Sequence, residues 1–319
     1  MAGVSDQRAR FREIFCAVLG VKPQDIPDHR PCDEALTRIA GEGPPTGKPV
    51  PIGPLRRPMV AAVVPGIGYE CIEPWLQPSG DEVERLREHG VELRVLRVDA
   101  LSSSTRNAMQ VRDAVMALPM QAGSPRVVLL GYSKGIGDIL EAVVAYPQLH
   151  SRVAAVVSVA GTVGGSPLAN DTEQYMANLL RHFPGATCGS GDGGAVNSLR
   201  PATRQAWLAA NRLPSGLRFY SVATFPQPER ISALLVPSHR KLSRVDGRND
   251  GQVIFSDQVV PGSTLLGYLN ADHWAVAVPI SRTHPTLASV LITQNAYPRE
   301  AMLEAILRFV DQDLGASRP

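Results

Sequence analysis

Between Met59 and Gly161 short runs of consecutive apolar residues alternate with segments of helical periodicity, and few architectures accommodate that rhythm. A strand buried on both faces needs a near-continuous Val, Ile, Leu or Ala run, whereas a crossover helix needs an apolar stripe backed by polar residues. Residues 59–64 (MVAAVV), 91–98 (VELRVLRV), 126–131 (RVVLLG) and 152–161 (RVAAVVSVAG) read as strands. Residues 79–90, 104–118 and 134–146 read as the helices between them. The order βαβαβαβ predicts an α/β fold with a mostly parallel central sheet and helices on both faces. Between Gly161 and Pro214 the rhythm breaks into a polar, glycine-rich region with helical patches near 172–182 and 201–211, expected to form an inserted lid or cap. Strands resume at 217–225 and 263–269, and 297–314 is a closing amphipathic helix. Upstream, residues 8–19 and 34–39 carry short helical patterns, and 43–58 holds six prolines. Proline fixes φ and removes a donor, so that stretch is expected to be an extended connector. The chain is thus expected to divide into an N-terminal segment, 1–58, and a main domain, 59–319.

The stretch Gly131-Tyr132-Ser133-Lys134-Gly135-Ile136-Gly137 joins the third core strand to its helix and admits two readings. As a glycine-rich dinucleotide loop it would need a carboxylate at the end of the next strand to hold a ribose. That strand ends Val157-Ser158-Val159-Ala160-Gly161, with no acid, and no tyrosine has a lysine four residues on, as the short-chain dehydrogenases it would resemble require. As Gly131-x-Ser133-x-Gly135 it raises a serine on a strained strand-to-helix turn that tolerates only small neighbours. A serine hydroxyl is a weak nucleophile near neutral pH and needs a histidine to take its proton and a carboxylate to orient that histidine. Downstream, "GRNDGQV" (247–253) and "NADHWAV" (270–276) supply Asp250 and His273 in the order serine, acid, histidine.

With Gly-Tyr-Ser-Lys-Gly, Asn-Asp-Gly-x-Val and the late Asp-His-Trp in place, residues 59–314 resemble the α/β-hydrolase family, particularly its bacterial esterases and lipases. The resemblance implies an α/β-hydrolase fold and cleavage of carboxylic esters through an acyl-enzyme. Ser133 would be the nucleophile, His273 the general base and acid, and Asp250 the residue orienting His273. Asp246 is the rival acid, Asp272 is expected to cap its loop, and His284 to lie on an exposed loop. An oxyanion hole needs two fixed N–H donors. One is expected from the amide of Lys134, at a helix start whose positive end favours developing negative charge. The other is expected from the loop after the first strand, by position the amide of Ile67, with Gly68 and Tyr69 as alternatives. Family members often carry His-Gly there, whereas this chain has Pro65-Gly66. The side chain of Lys134 is expected to snorkel to the surface rather than to meet an anionic head group. The substrate is expected to be a small-molecule or lipid-like ester with its acyl part in an apolar pocket roofed by 161–214. Thioester cleavage or acyl transfer would use the same triad, and a non-catalytic binding protein of the same fold need not keep all three members.

Composition narrows the rest. Of 319 residues 44% are apolar, enough for a sizeable core, and 32 basic against 30 acidic residues leave a formal charge of +2. That field draws in neither nucleic acid nor an anionic membrane. No apolar run approaches the length of a membrane helix. No secretory signal pattern is read, so cytoplasmic location is the expectation, with export open for a sequence that begins after a removed signal. Cys16, Cys32, Cys71 and Cys188 stand far apart without a C-x-x-C pair, so no dense disulfide framework is expected; one or two bridges stay open, with a buried free thiol the leading expectation for each. No cofactor and no metal is expected, since Arg248 stands where a calcium loop would want an oxygen ligand.

Overall fold

Eight strands form one sheet in the computed structural model, in which residues 3–73, 80–119, 126–171 and 189–316 are described. In chain order they are β1 (Ser5–Asp6), β2 (Leu36–Thr37), β3 (Met59–Val64), β4 (Val91–Val95), β5 (Val127–Tyr132), β6 (Val153–Val159), β7 (Arg218–Thr224) and β8 (Thr264–Leu269). They run β1-β8-β7-β6-β5-β3-β4 across the sheet, every pair parallel, while β2 pairs antiparallel with β8. β4 stops at Val95, short of the expected Val98, because as an edge strand it has only β3 to pair with. The main helices are α1 (Arg8–Gly20), α2 (Gly80–Glu88), α3 (Ser104–Ala117), α4 (Gly135–Ala145), α5 (Pro201–Ala210) and α6 (Arg299–Ala316). Two apolar clusters, one on each face of the sheet, make the core. One joins α1 and α6 to the strands and the other joins α3 and α4 to them.

The N-terminal segment is built into this core. Phe11, Ile14, Phe15 and Val18 of α1 are fully buried in one cluster with Ile306, Leu307 and Val310 of α6. β7 takes one edge of β8, so β1 and β2 cover the other in two short pieces and leave less of it open to a passing chain. The helical pattern read at 34–39 is instead a short helix, Cys32–Ala35, running into β2. A segment too short to sustain a helix gains more by pairing with β8. Residues 43–58 are extended, and because prolines leave their carbonyls few local donors, buried arginines serve them. Arg10 donates to the carbonyls of Lys48 (2.7 Å) and Pro49 (3.0 Å), and Arg308 to those of Pro51 (3.1 Å) and Gly53 (2.8 Å).

The free-thiol expectation is overturned at Cys16 and Cys32, which form a disulfide with Cα atoms 5.2 Å apart, tying α1 to the start of the short helix before β2. Cys71 is likewise disulfide-bonded, and Cys188 lies outside the described residues. Sequence spacing missed the first bridge because it is set by how α1 folds back, not by local order. Closing a loop of this length contributes about 3 kcal/mol by restricting the unfolded chain. The double variant Cys16→Ala/Cys32→Ala is expected to melt about 5 °C lower by circular dichroism. An unchanged melting temperature would remove the bridge from the stability account.

The insertion is described in part. Residues 189–214 include Ala195–Leu199 and α5, whereas the helical patch expected near 172–182 lies outside the described residues. Ser166 N donating to Leu199 O (2.8 Å) holds the insertion to itself, while Gly164 N donating to Asp257 O (2.8 Å) and Ala195 N to Leu101 O (3.3 Å) tie it to the body of the domain. No helix among the described residues is long and apolar enough to cross a membrane.

Candidate active site

The turn from β5 into α4 is held by close packing. A Cβ at Gly131 would lie 2.4 Å from Ile136 Cα, and one at Gly135 would lie 2.1 Å from Val64 O. Any side chain at either place would push α4 away from the sheet. Between them Ser133 has φ +53°, a left-handed conformation that costs a non-glycine residue on the order of 1 kcal/mol. What sustains it are the peptides on both sides of the residue. Ser133 O accepts from Thr162 N (3.0 Å) and Thr162 Oγ1 (3.3 Å), and Ser133 N donates to Val159 O (3.3 Å).

Asp250 and His273 come to this turn from the two sides of β8. The Asn249-Asp250-Gly251 turn is shaped by its own side chains. Asn249 Oδ1 accepts from Gly251 N (3.0 Å), Asp250 Oδ1 from Gln252 N (2.9 Å) and Val253 N (2.7 Å), and Gly251 has φ +89°. These bonds commit one carboxylate oxygen to the loop and leave Oδ2 for the site. Oδ2 stands 2.8 Å from His273 Nδ1, and His273 Nε2 stands 3.0 Å from Ser133 Oγ. With Nδ1–H donating to the carboxylate, Nε2 is free to accept the serine proton, the tautomer this geometry selects. All three side chains are buried.

Three partners of this relay escaped the sequence reading. Thr224, at the end of β7, donates its hydroxyl to Asp250 Oδ2 (2.5 Å), and Gln258 Nε2 lies 3.3 Å from the same oxygen. Tyr132 donates its hydroxyl to His273 O (2.7 Å) and sets its ring 5.2 Å from the imidazole. The polar residue closing an apolar strand at Thr224 was a usable signal, but the side-chain amide of Gln258 had none.

The competing residues lie elsewhere. Asp246 takes up Arg248 through Nε (3.0 Å) and Nη2 (2.7 Å). Asp272 caps the loop after β8, accepting from Trp274 N (3.1 Å), Ala275 N (2.9 Å) and Ser232 N (2.9 Å), while burial pushes its carboxyl pKa upward. His284 meets Thr283 Oγ1 at 3.0 Å, outside the relay.

Of the amides considered for the oxyanion, Gly68 N donates to Ala100 O (3.4 Å) and Tyr69 N to Gly66 O (3.4 Å). Among the described residues the amides of Ile67 and Lys134 meet no acceptor. The loop lies against Ser133, for a Cβ at Gly66 would stand 2.9 Å from Ser133 Cβ. The surface position expected for the Lys134 side chain is wrong. It is 2% exposed, and Nζ donates to Asp138 Oδ1 at 2.6 Å, because the start of α4 lies under α3, where the chain finds a carboxylate before it finds water.

Two apolar features flank the site. Ile67 packs on Ala169, Val196 and Leu199 of the insertion. On the other side a cavity of about 170 Å³ runs from Tyr132 and Val159 past Val276 and Ala277 to Met302 and Leu303. Among the described residues no group of His, Cys, Asp and Glu could hold a metal ion.

No family model matches the chain, and no curated protein does. Among solved structures it is similar to a carboxyl esterase of metagenomic origin, with 41% identity and a TM-score of 0.90 over 98% of this chain and 93% of that one. It also resembles the mature lipase of Bacillus licheniformis (20% identity, TM-score 0.55, 77% of this chain and 96% of that one) and lipase 1 of Pelosinus fermentans (12%, 0.55, 83% and 100%), likenesses of fold alone.

Proposed function

This chain belongs to the α/β-hydrolase family, among its bacterial esterases and lipases, and from that premise we propose that it is a carboxylic ester hydrolase working through a Ser133–His273–Asp250 triad and an acyl-enzyme. The observation that carries the mechanism is the unbroken relay, 3.0 Å from Ser133 Oγ to His273 Nε2 and 2.8 Å from Nδ1 to Asp250 Oδ2. Ser133 Oγ attacks the ester carbonyl as Nε2 takes its proton. The oxyanion that forms is met by the amides of Lys134 and Ile67, donors worth about 3 kcal/mol each to the transition state. The imidazolium, balanced by Asp250, returns its proton to the leaving alcohol, and water then attacks the acyl-serine by the same steps in reverse. Thr224 and Gln258 keep Asp250 Oδ2 aimed at Nδ1.

A fluorophosphonate probe together with p-nitrophenyl and acyl-CoA substrates tests this. One covalent adduct per chain and turnover of p-nitrophenyl butyrate are expected. An unlabelled protein would remove the enzyme reading, and turnover of the thioesters alone would move it to a thioesterase.

We assign the acyl chain to the cavity beside Tyr132 rather than to the insertion side, where Ile67, Ala169, Val196 and Leu199 already fill the space between them. A cavity of roughly this size in other proteins takes up a benzene ring, so a chain of a few carbons fits. Ala277→Phe narrows it. The expected result is at least a tenfold fall in kcat/KM for p-nitrophenyl octanoate relative to the acetate, about the discrimination that lost pocket contacts supply. An unchanged ratio would return the acyl chain to the insertion side.

A further inference from the structure

The ion pair beside the nucleophile is not explained by the stability of its helix. Lys134 stands at the N-cap of α4, where the helix dipole disfavours a cation. It also precedes its carboxylate by four residues, the weaker orientation for such a pair. Both side chains are almost fully buried, at 2% and 1% exposure, and a pair removed from water commonly adds little net stability over apolar residues of the same size.

What the pair does is connect. Lys134 Nζ donates to Asp138 Oδ1 (2.6 Å), and Asp138 Oδ2 accepts from Asn107 Nδ2 (2.8 Å) on the neighbouring helix α3. Asn107 Nδ2 also reaches Asp99 O (3.1 Å), in the loop after β4. The Lys134 side chain is therefore tied, through two buried groups, to a part of the fold that does not depend on the elbow. The peptide between Ser133 and Lys134 is the unit that this arrangement holds. Its carbonyl oxygen, on one side, is pinned by Thr162 N and Oγ1. Its N–H, on the other, is the amide that meets no acceptor among the described residues. A strained turn held only at this carbonyl, by Thr162 and by Ile136 N (3.4 Å), could relieve its φ by rotating this peptide, and the N–H would swing with it.

We propose that Lys134 acts through its side chain as a positioning residue, the buried chain Lys134–Asp138–Asn107 fixing the Ser133–Lys134 peptide so that its N–H stays aimed at the oxyanion. This rests on the ester-hydrolase reading above. The amide itself touches the reacting atoms, and the ammonium does not. The fold thus separates two tasks in one residue, with the main chain stabilising charge and the side chain holding the main chain still.

The test is the double variant Lys134→Met/Asp138→Leu, which removes both charges together and leaves no uncompensated ion in the interior. With p-nitrophenyl acetate its kcat is expected to fall about 10- to 100-fold, the range between a displaced and a deleted oxyanion donor, with KM within twofold of wild type. Active-site titration should count the same number of competent sites per chain. The rate of fluorophosphonate labelling should fall with kcat, since the phosphoryl oxygen uses the same donors. Wild-type kcat in the double variant overturns the proposal, and so does a fall matched by fewer titratable sites, which would make the pair merely structural. Asn107→Ala is the second variant should the first not fold. It leaves the ion pair but frees its far end, and kcat is expected to fall three- to tenfold, with no change overturning the proposal. Wild-type protein inactive on every ester would remove the hydrolase reading itself, a result distinct from an active wild type with an equally active variant.

Discussion

Ser133→Ala is expected to lower kcat for ester hydrolysis by about 10⁶-fold, to the residual rate that bound substrate and oxyanion donors sustain without a nucleophile. The loss is this large because the remaining triad members cannot act alone. His273 would have no hydroxyl to deprotonate, and water in place of the serine oxygen would lack its fixed position 3.0 Å from Nε2. Alanine keeps a Cβ in the same left-handed turn, so the strain at φ +53° is retained and thermal stability should stay close to wild type. The variant should also lose fluorophosphonate labelling completely. Steady-state kinetics and intact-mass analysis measure both. Residual kcat above a hundredth of wild type, or labelling at the wild-type rate, would mean that the nucleophile lies elsewhere. Combining Ser133→Ala with His273→Ala should cost little more, since residues acting as one unit are not additive.

How far the fold could be read from the chain depended on where its determinants lie. The core strands were legible because burial on both faces demands apolar runs, and β3 and β5–β8 fall within a residue or two of the expected limits. The tight turn at Ser133 was legible for the same local reason: Gly131 and Gly135 flank the serine because backbone from Ile136 and Val64 stands where their side chains would be. Asp250 and His273 are proposed from order and motif, whereas the distances joining them follow from the loops on either side of β8 and not from local sequence. β1 and β2 carry two residues each and take their identity from the edge of β8. The Cys16–Cys32 bridge likewise depends on α1 folding back over the sheet. Lys134 was misjudged because a lysine beside a helix start is usually solvated, and what buries this one, Asn107 behind Asp138, comes from a helix that local sequence does not link to it.

Asp250→Asn separates the orienting acid from its rivals, and the expected loss is about 10⁴-fold in kcat with KM little changed. The exchange preserves shape, so the loop should survive with the amide oxygen still accepting from Gln252 and Val253. The amide nitrogen is then left facing Thr224, Gln258 and His273 Nδ1, where three donors had been served by one carboxylate oxygen. His273 can answer a donor only by turning Nδ1 into an acceptor, which moves its proton to Nε2. An imidazole with Nε2 protonated cannot take the serine proton, so the loss arises from the wrong tautomer and not from a displaced ring. Asp246→Asn is the matched control. That carboxylate is held by Arg248, which also keeps its pKa low, and no part of the relay touches it. It should leave kcat within twofold of wild type. Equal losses in the two variants would point to a general effect of charge in this loop, and a loss confined to Asp246→Asn would exchange the roles of the two acids.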